Sequence, residues 1–326
     1  AGNLISTGQY NTILGGDVGD AITDADYNVA MGYLALSADT LGSRSTAIGT
    51  VALASQNFTT ATDSYNVAVG YQAGGSVTTG THNTLLGGLS GDALTSSSRN
   101  TALGYGTLSA DTLGSHSTAV GNLALVNQNL TTATDVYNTA VGSSAGQEIT
   151  TGTQNTYIGG LAGDAATASV ENVAVGYQAL SADTLGSKSV AVGRMALLSQ
   201  NQTTATDVYN VAVGHNAGQQ VTTGIQNTIV GGLAGDALTD ADMNVAVGYA
   251  ALSVDTKGSE STAIGRGALA NQNFTTSTDS HNTAVGHSAG QQMTTGIQNV
   301  LLGSNAGLQL TDADQNVAIG HAALTS

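Results

Sequence analysis

The feature that most constrains this chain is a five-residue unit, [Asn/Ser]-[Val/Thr]-x-[apolar]-Gly, that recurs eighteen times, beginning at residues 11, 28, 45, 66, 83, 100, 117, 138, 155, 172, 189, 210, 227, 244, 261, 282, 299 and 316. Its spacing runs 17, 17, 21, 17 and then repeats, so four coils make a 72-residue super-repeat. We label these coils A (from Asn66), B (from Asn83), C (from Asn100) and D (from Ser117). Units of this length cannot bury an apolar face alone and must stack on their neighbours. The expected fold is therefore an all-β parallel β-solenoid spanning residues 1–326 as one continuous array, with partial coils at both ends.

Composition agrees with a thin interior. The 326 residues include 44 Gly, no Pro, Cys or Trp and only 2 Phe, and the hydrophobic residues are mostly Ala, Val, Leu and Ile. An aromatic core is excluded, and so are disulfides and thiolate metal sites. The net charge of −16 disfavours nucleic acid and anionic membranes as partners. No stretch approaches the roughly 20 apolar residues of a membrane-spanning helix.

Within each unit, position 2 is Val or Thr and position 4 is always Val, Ile, Leu or Met. Strand alternation places both on one face. Because position 4 is never polar, that face is expected to point inward and position 3 outward. Position 3 is Ala in the A, C and D coils but Ile13, Leu85, Tyr157, Ile229 and Leu301 in the B coils. An outward apolar row of this kind marks those five residues as a candidate oligomer interface. Position 5 is Gly in every copy, which calls for positive φ or a backbone passing too close for a Cβ.

Two polar columns accompany the strand. Position 1 is Asn in A, B and C coils and Ser in D coils, and position 13 is Thr in all thirteen complete 17-residue coils. Both are expected to hydrogen-bond from coil to coil, with the Asn at a turn of left-handed geometry. The longer D coils insert residues near a Gln-Asn-x-Thr-Thr stretch that should loop outward, and each carries an Asn-x-Thr sequon at Asn57, Asn129, Asn201 or Asn273, the candidate glycosylation sites.

Units such as Asn172-Val173-Ala174-Val175-Gly176 and Ser261-Thr262-Ala263-Ile264-Gly265 resemble the Ser-Val-Ala-Ile-Gly core of head repeats in YadA-type trimeric autotransporter adhesins. Asn66-Val67-Ala68-Val69-Gly70-Tyr71-Gln72-Ala73 is similar to repeats of phage tail fibres. The resemblance covers almost the whole chain and implies a left-handed β-roll, three chains side by side, and attachment to a surface. The 17- and 21-residue coils depart from the adhesin pattern in being longer, and no stalk, anchor or chaperone segment is recognisable.

Apparent catalytic motifs dissolve in the repeat. Gly142-Ser143-Ser144-Ala145-Gly146 and Gly286-His287-Ser288-Ala289-Gly290 match Gly-x-Ser-x-Gly, but equivalent coils carry Gln72 or Asn216 at the serine, so no enzyme is expected. Asp24 and Asp26, Asp240 and Asp242, and Asp312 and Asp314 could hold an occasional Ca²⁺, although sister coils lack the pair; no obligatory cofactor is expected. The six histidines never reach metal-motif spacing. Tyr33, Tyr71, Tyr105, Tyr177 and Tyr249 all follow the position 5 Gly and form a candidate sugar-contact row, while Tyr10, Tyr27, Tyr65, Tyr137 and Tyr209 precede position 1.

These readings point to an extracellular fibre segment, an adhesin or tail-fibre shaft on a cell surface or virion. Its partners would be copies of itself and a cell-surface glycan or protein. The alternative is a filament or coat subunit stacking end to end. Ice binding would need a broader flat Thr array than one column supplies.

Overall fold

The computed structural model describes residues 1–325. The chain divides into two compact units, Ala1–Gly160 and Leu161–Ser326. Both are all-β parallel β-solenoids. Among the described residues of the first unit, nine three-residue strands, running from Thr12–Leu14 to Thr156–Ile158, form one parallel sheet in which each pairs with the next along the chain. Nine strands from Val173–Val175 to Val317–Ile319 do the same in the second unit. No helix among the described residues is long and apolar enough to cross a membrane.

Register is set by the repeat. Val211, Ala212 and Val213 pair with Thr228, Ile229 and Val230, so position 2 meets position 2 and position 3 meets position 3. The D-coil insertion does not break this pattern, because Val190 pairs with Val211 across 21 residues. Strands within each unit are closed at their ends by backbone bonds to the neighbouring coils, such as Val211 N–H to Asn227 O and Gly214 N–H to Val192 O, both 2.8 Å.

The facing of the strands is the reverse of the sequence expectation. Position 3 points inward: Ala174, Ala191, Ala212 and Ala246 are all fully buried. Positions 2 and 4 face outward, with Val67 37%, Leu86 45% and Ile264 38% exposed. Consequently Leu85, Tyr157, Ile229 and Leu301 are core residues with no accessible surface, and Ile13 lies half-buried on the same inward face, so these five do not form an outward interface. Alternation separates two faces but does not say which is inside, and a narrow interior selects the smallest side chain rather than the most hydrophobic.

The B coils accept large residues at position 3 because space is cleared elsewhere. Position 9 is Gly in A and B coils, and a Cβ on Gly218 would lie 3.0 Å from both the Ile229 Cδ1 and the Leu197 Cδ2. In C and D coils position 3 is Ala, and position 9 is instead a buried Leu such as Leu180, Leu197, Leu252 or Leu269. These leucines hold φ near 50° (53°, 50°, 54° and 48°), a conformation costing roughly 1–2 kcal/mol without a Gly that the surrounding packing must offset. The core is thus filled from the strand in B coils and from position 9 in C and D coils, while A coils, with Ala and Gly at those places, bury Val77, Ile149, Val221 or Met293.

The invariant position 5 Gly answers both demands read from the sequence. Gly70 has φ of 141°, and a Cβ there would lie 2.4 Å from the Gly87 carbonyl oxygen. No flexible side chain could yield, since the obstruction is backbone.

The polar columns bind coil to coil. Asn227 Oδ1 accepts the Asn244 N–H at 2.9 Å, while Asn227 Nδ2 donates to the Ala241 carbonyl at 2.8 Å. Most of the asparagine pairing is therefore side chain to backbone, and the left-handed residue is the one before it, as at Tyr27, Tyr65 and Tyr209. The threonine column runs hydroxyl to carbonyl, as from Thr239 to Thr256 O at 2.9 Å.

The facing can be checked by two substitutions on adjacent residues. Ala174→Asp buries an unpaired carboxylate and should cost several kcal/mol in denaturant unfolding, about 3 or more. Val175→Asp, on the outward face, should cost the fold of a single chain under about 1 kcal/mol, read at a protein concentration low enough for the chain to be monomeric; equal losses there would contradict the assignment.

Candidate functional site

Three surface features carry chemistry: the D-coil inserts and the two columns of large side chains beside the strands. Each insert is anchored by a buried carboxylate from the preceding C coil. In the fourth super-repeat Asp255 Oδ1 accepts N–H groups of Gly258 and Phe274, both at 3.0 Å, and Oδ2 accepts Gln272 Nε2 at 2.6 Å. Gln272 Nε2 also donates to Ser261 Oγ at 2.9 Å, and its Oε1 accepts Asn282 Nδ2 at 2.9 Å. Asp39 with Gln56, Asp111 with Gln128 and Asp183 with Gln200 repeat this arrangement. It explains why position 1 is Ser in D coils: a shorter side chain leaves room for the glutamine amide.

The insert does not loop out entirely. Its first residue, Phe58, Leu130, Gln202 or Phe274, is buried, and only the following residues, such as Thr59, Thr60 and Ala61, are exposed. The sequon asparagines occupy position 13, where they take the place of threonine in the column: Thr40, Thr112, Thr184 and Thr256 hydroxyls donate to the Oδ1 of Asn57, Asn129, Asn201 and Asn273 at 3.1, 3.3, 3.0 and 3.2 Å. Asn57, Asn129 and Asn201 are exposed and Asn273 is half-buried. Every sequon asparagine thus has a structural hydrogen bond of its own.

The column before position 1 is engaged with itself. Tyr10 stacks on Tyr27 at 4.9 Å, and Arg44 lies over Tyr27 at 4.8 Å while pairing with Asp63 at 2.9 Å. His116 stacks on Tyr137 at 5.0 Å and meets Asp135 at 3.1 Å. Lys188 binds Asp207 at 2.6 Å and lies over Tyr209, and its hydrogen bonds to those two groups push its pKa up to about 12.

The column after the position 5 Gly is different. Tyr33, Tyr71, Tyr105, Tyr177 and Tyr249 are exposed and make no ring contact among the described residues. Three of the rings lie beside a glycine of the coil before: a Cβ on Gly16, Gly88 or Gly232 would come to 3.7, 3.6 or 3.7 Å from Cδ2 of Tyr33, Tyr105 or Tyr249. In the second unit this column reads Tyr177, Arg194, His215 and then Tyr249, Arg266, His287, with Arg Nη1 to His Nε2 separations of 3.4 and 3.2 Å.

The remaining motifs have structural roles. Asp26, Asp242 and Asp314 each accept a backbone N–H of the coil before, from Gln9, Ile225 and Ile297 at 2.6, 2.7 and 2.8 Å. Asp240 pairs with Lys257 at 3.3 Å. No group of three His, Asp or Glu residues among the described residues could hold a metal ion. Ser144 and Ser288 sit at a left-handed corner with φ of 55° and 53°, the same corner as Gln72 and Asn216, and the turn they begin leads to no helix.

The Asp–Gln anchors escaped sequence reasoning, although Asp-Thr-x-Gly stands in all four complete C coils, from Asp39-Thr40-Leu41-Gly42 onward. No protein-family model matches this sequence, and no curated protein matches it.

Asp255→Ala would leave three buried donors unpaired and should cost roughly 3–5 kcal/mol in denaturant unfolding, with the 272–278 insert becoming protease-sensitive. A loss under about 1 kcal/mol would show the anchor to be dispensable. For Asp39, burial pushes the carboxyl above its usual range, opposed by hydrogen bonds from Gln56, Phe58 and Gly42. The folded chain therefore holds that proton more tightly than the unfolded one, so its contribution is full below the unfolded pKa of about 4 and fades as pH rises through the raised folded value. The stability of the parent minus that of Asp39→Asn should fall as pH rises above about 4, and a rise would contradict it.

Proposed function

We propose that this chain is a segment of an extracellular fibre, structural or adhesive, assembled from identical chains lying side by side, three in the arrangement that the repeat resemblance implies. The observation that carries the reading is the outward face of the two sheets. Position 4 is apolar in all eighteen strands, from Leu14 to Ile319, yet it points to the surface, beside a position 2 row of Val and Thr. An apolar row of that extent is costly to leave in water. It is also periodic at the coil spacing, and the surface that matches such a row along its length is another row of the same spacing. A second copy of the chain supplies that row, and an unrelated globular partner does not.

Attachment follows from repetition. Exposed tyrosines recur along the column after position 5, so many weak contacts with a cell-surface glycan or protein could act together through avidity. The reading assigns no catalytic role: the chain's carboxylates and serines serve its corners and inserts.

Mass measurement of the purified chain tests the assembly. The parent should give a discrete small oligomer, and Val213→Arg combined with Val247→Arg should dissociate it while retaining the β spectrum. A monomeric parent would overturn the reading, and open-ended polymers would favour end-to-end filaments instead.

A further inference from the structure

Repeats make departures informative. Position 7 is left-handed in all four D coils, with φ of 63° at Val51, 56° at Leu123, 56° at Met195 and 65° at Gly267. Bulky residues hold this conformation in three of them, so the backbone does not require Gly267. Packing does not require it either, since a Cβ there would meet nothing nearer than Ser288 Oγ at 3.8 Å and Gln291 Nε2 at 4.0 Å. Its neighbours are reduced together with it. Where the preceding super-repeat has Gln178, Met195, Leu198 and Asn216, the fourth has Ala250, Gly267, Ala270 and Ser288. The result is a hollow of about 100 Å³ bounded by these four residues with Tyr249, Arg266 and Gln291.

The polar groups around this hollow keep hydrogen-bonding capacity to spare. Arg266 is exposed and has no carboxylate partner among the described residues, in a protein whose net charge is −16. One guanidinium nitrogen, Nη1, lies 3.2 Å from His287 Nε2, which orients the fork and leaves its other N–H groups available. Ser288 is only 5% exposed, and among the described residues no hydrogen bond of its hydroxyl is seen. Tyr249 stands at the rim with 55% of its surface exposed.

We propose that this hollow is a binding site for a carboxylate-bearing sugar. The carboxylate takes the forked hydrogen bonds of Arg266, the chemistry that planar guanidinium serves best. Ser288 and Gln291 supply further polar contacts, and the pyranose ring lies against the Tyr249 face. The site sits at the corner after the strand, apart from the outward strand rows, so it stands or falls independently of how copies assemble.

The test is titration of the full chain by NMR with glucuronate, galacturonate and N-acetylneuraminate, with glucose and acetate as probes lacking the charge or the ring. At least one acidic sugar should saturate with a millimolar Kd, about tenfold tighter than glucose or acetate. Gly267→Met, which restores the residue of the preceding super-repeat, should abolish binding while the chain stays folded, with a Tm loss no larger than left-handed strain at one residue produces. Arg266→Gln should weaken it at least about tenfold, and Arg194→Gln, in the filled equivalent, should leave it unchanged. The proposal is overturned if none of the three acidic sugars saturates, if acetate binds as tightly as they do, or if binding survives in Gly267→Met.

Discussion

Everything in this molecule follows from how near each coil lies to the next. At the Gly column the backbones approach so closely that a Cβ would fall about 2.4 Å from a carbonyl oxygen one coil away, as between Gly70 and Gly87. That approach holds the strands in register and leaves a slender interior behind them. It also fixes what may enter the interior: alanine at position 3, or a larger residue only where a glycine at the opposite corner withdraws. The asparagine and threonine columns then satisfy the backbone groups that so tight a stack would otherwise strand.

A slender interior has a consequence for the surface. Where position 3 is Ala, as in every A, C and D coil, the β-branched residues that favour strands face outward at positions 2 and 4. Apolar rows on the outside, and polar columns buried at the corners, invert the usual partition of a globular protein. That inversion is what gives the chain a surface suited to its own kind. The corners meanwhile display large side chains at regular intervals, held by left-handed backbone at residues as bulky as Tyr27 and Arg44.

The sequence carried the repeat, the register, the corner glycines and the coil-to-coil role of the polar columns in plain view, because each depends on periodicity alone. Facing was not legible, since Val173 and Val175 alternate with Ala174 in the same way whichever side is inside. Hydrophobicity suggested the wrong choice, and only the size limit of the interior decides it. The Asp255–Gln272 anchor was hidden because its partners lie 17 residues apart and meet only through stacking. The hollow at Gly267 could have been found from sequence by aligning super-repeats and asking where four residues shrink together, but its open space and the placing of its polar groups needed coordinates.

The central claim is that position 3 forms each chain's own core and is not a contact between chains. Thermal and denaturant unfolding of Ile229→Ala across a wide range of protein concentration tests it most directly. An interior residue should cost about 2–5 kcal/mol relative to the parent, by the same amount at every concentration. No loss, or a loss that grows or shrinks with concentration, would place Ile229 on the outside and contradict the account.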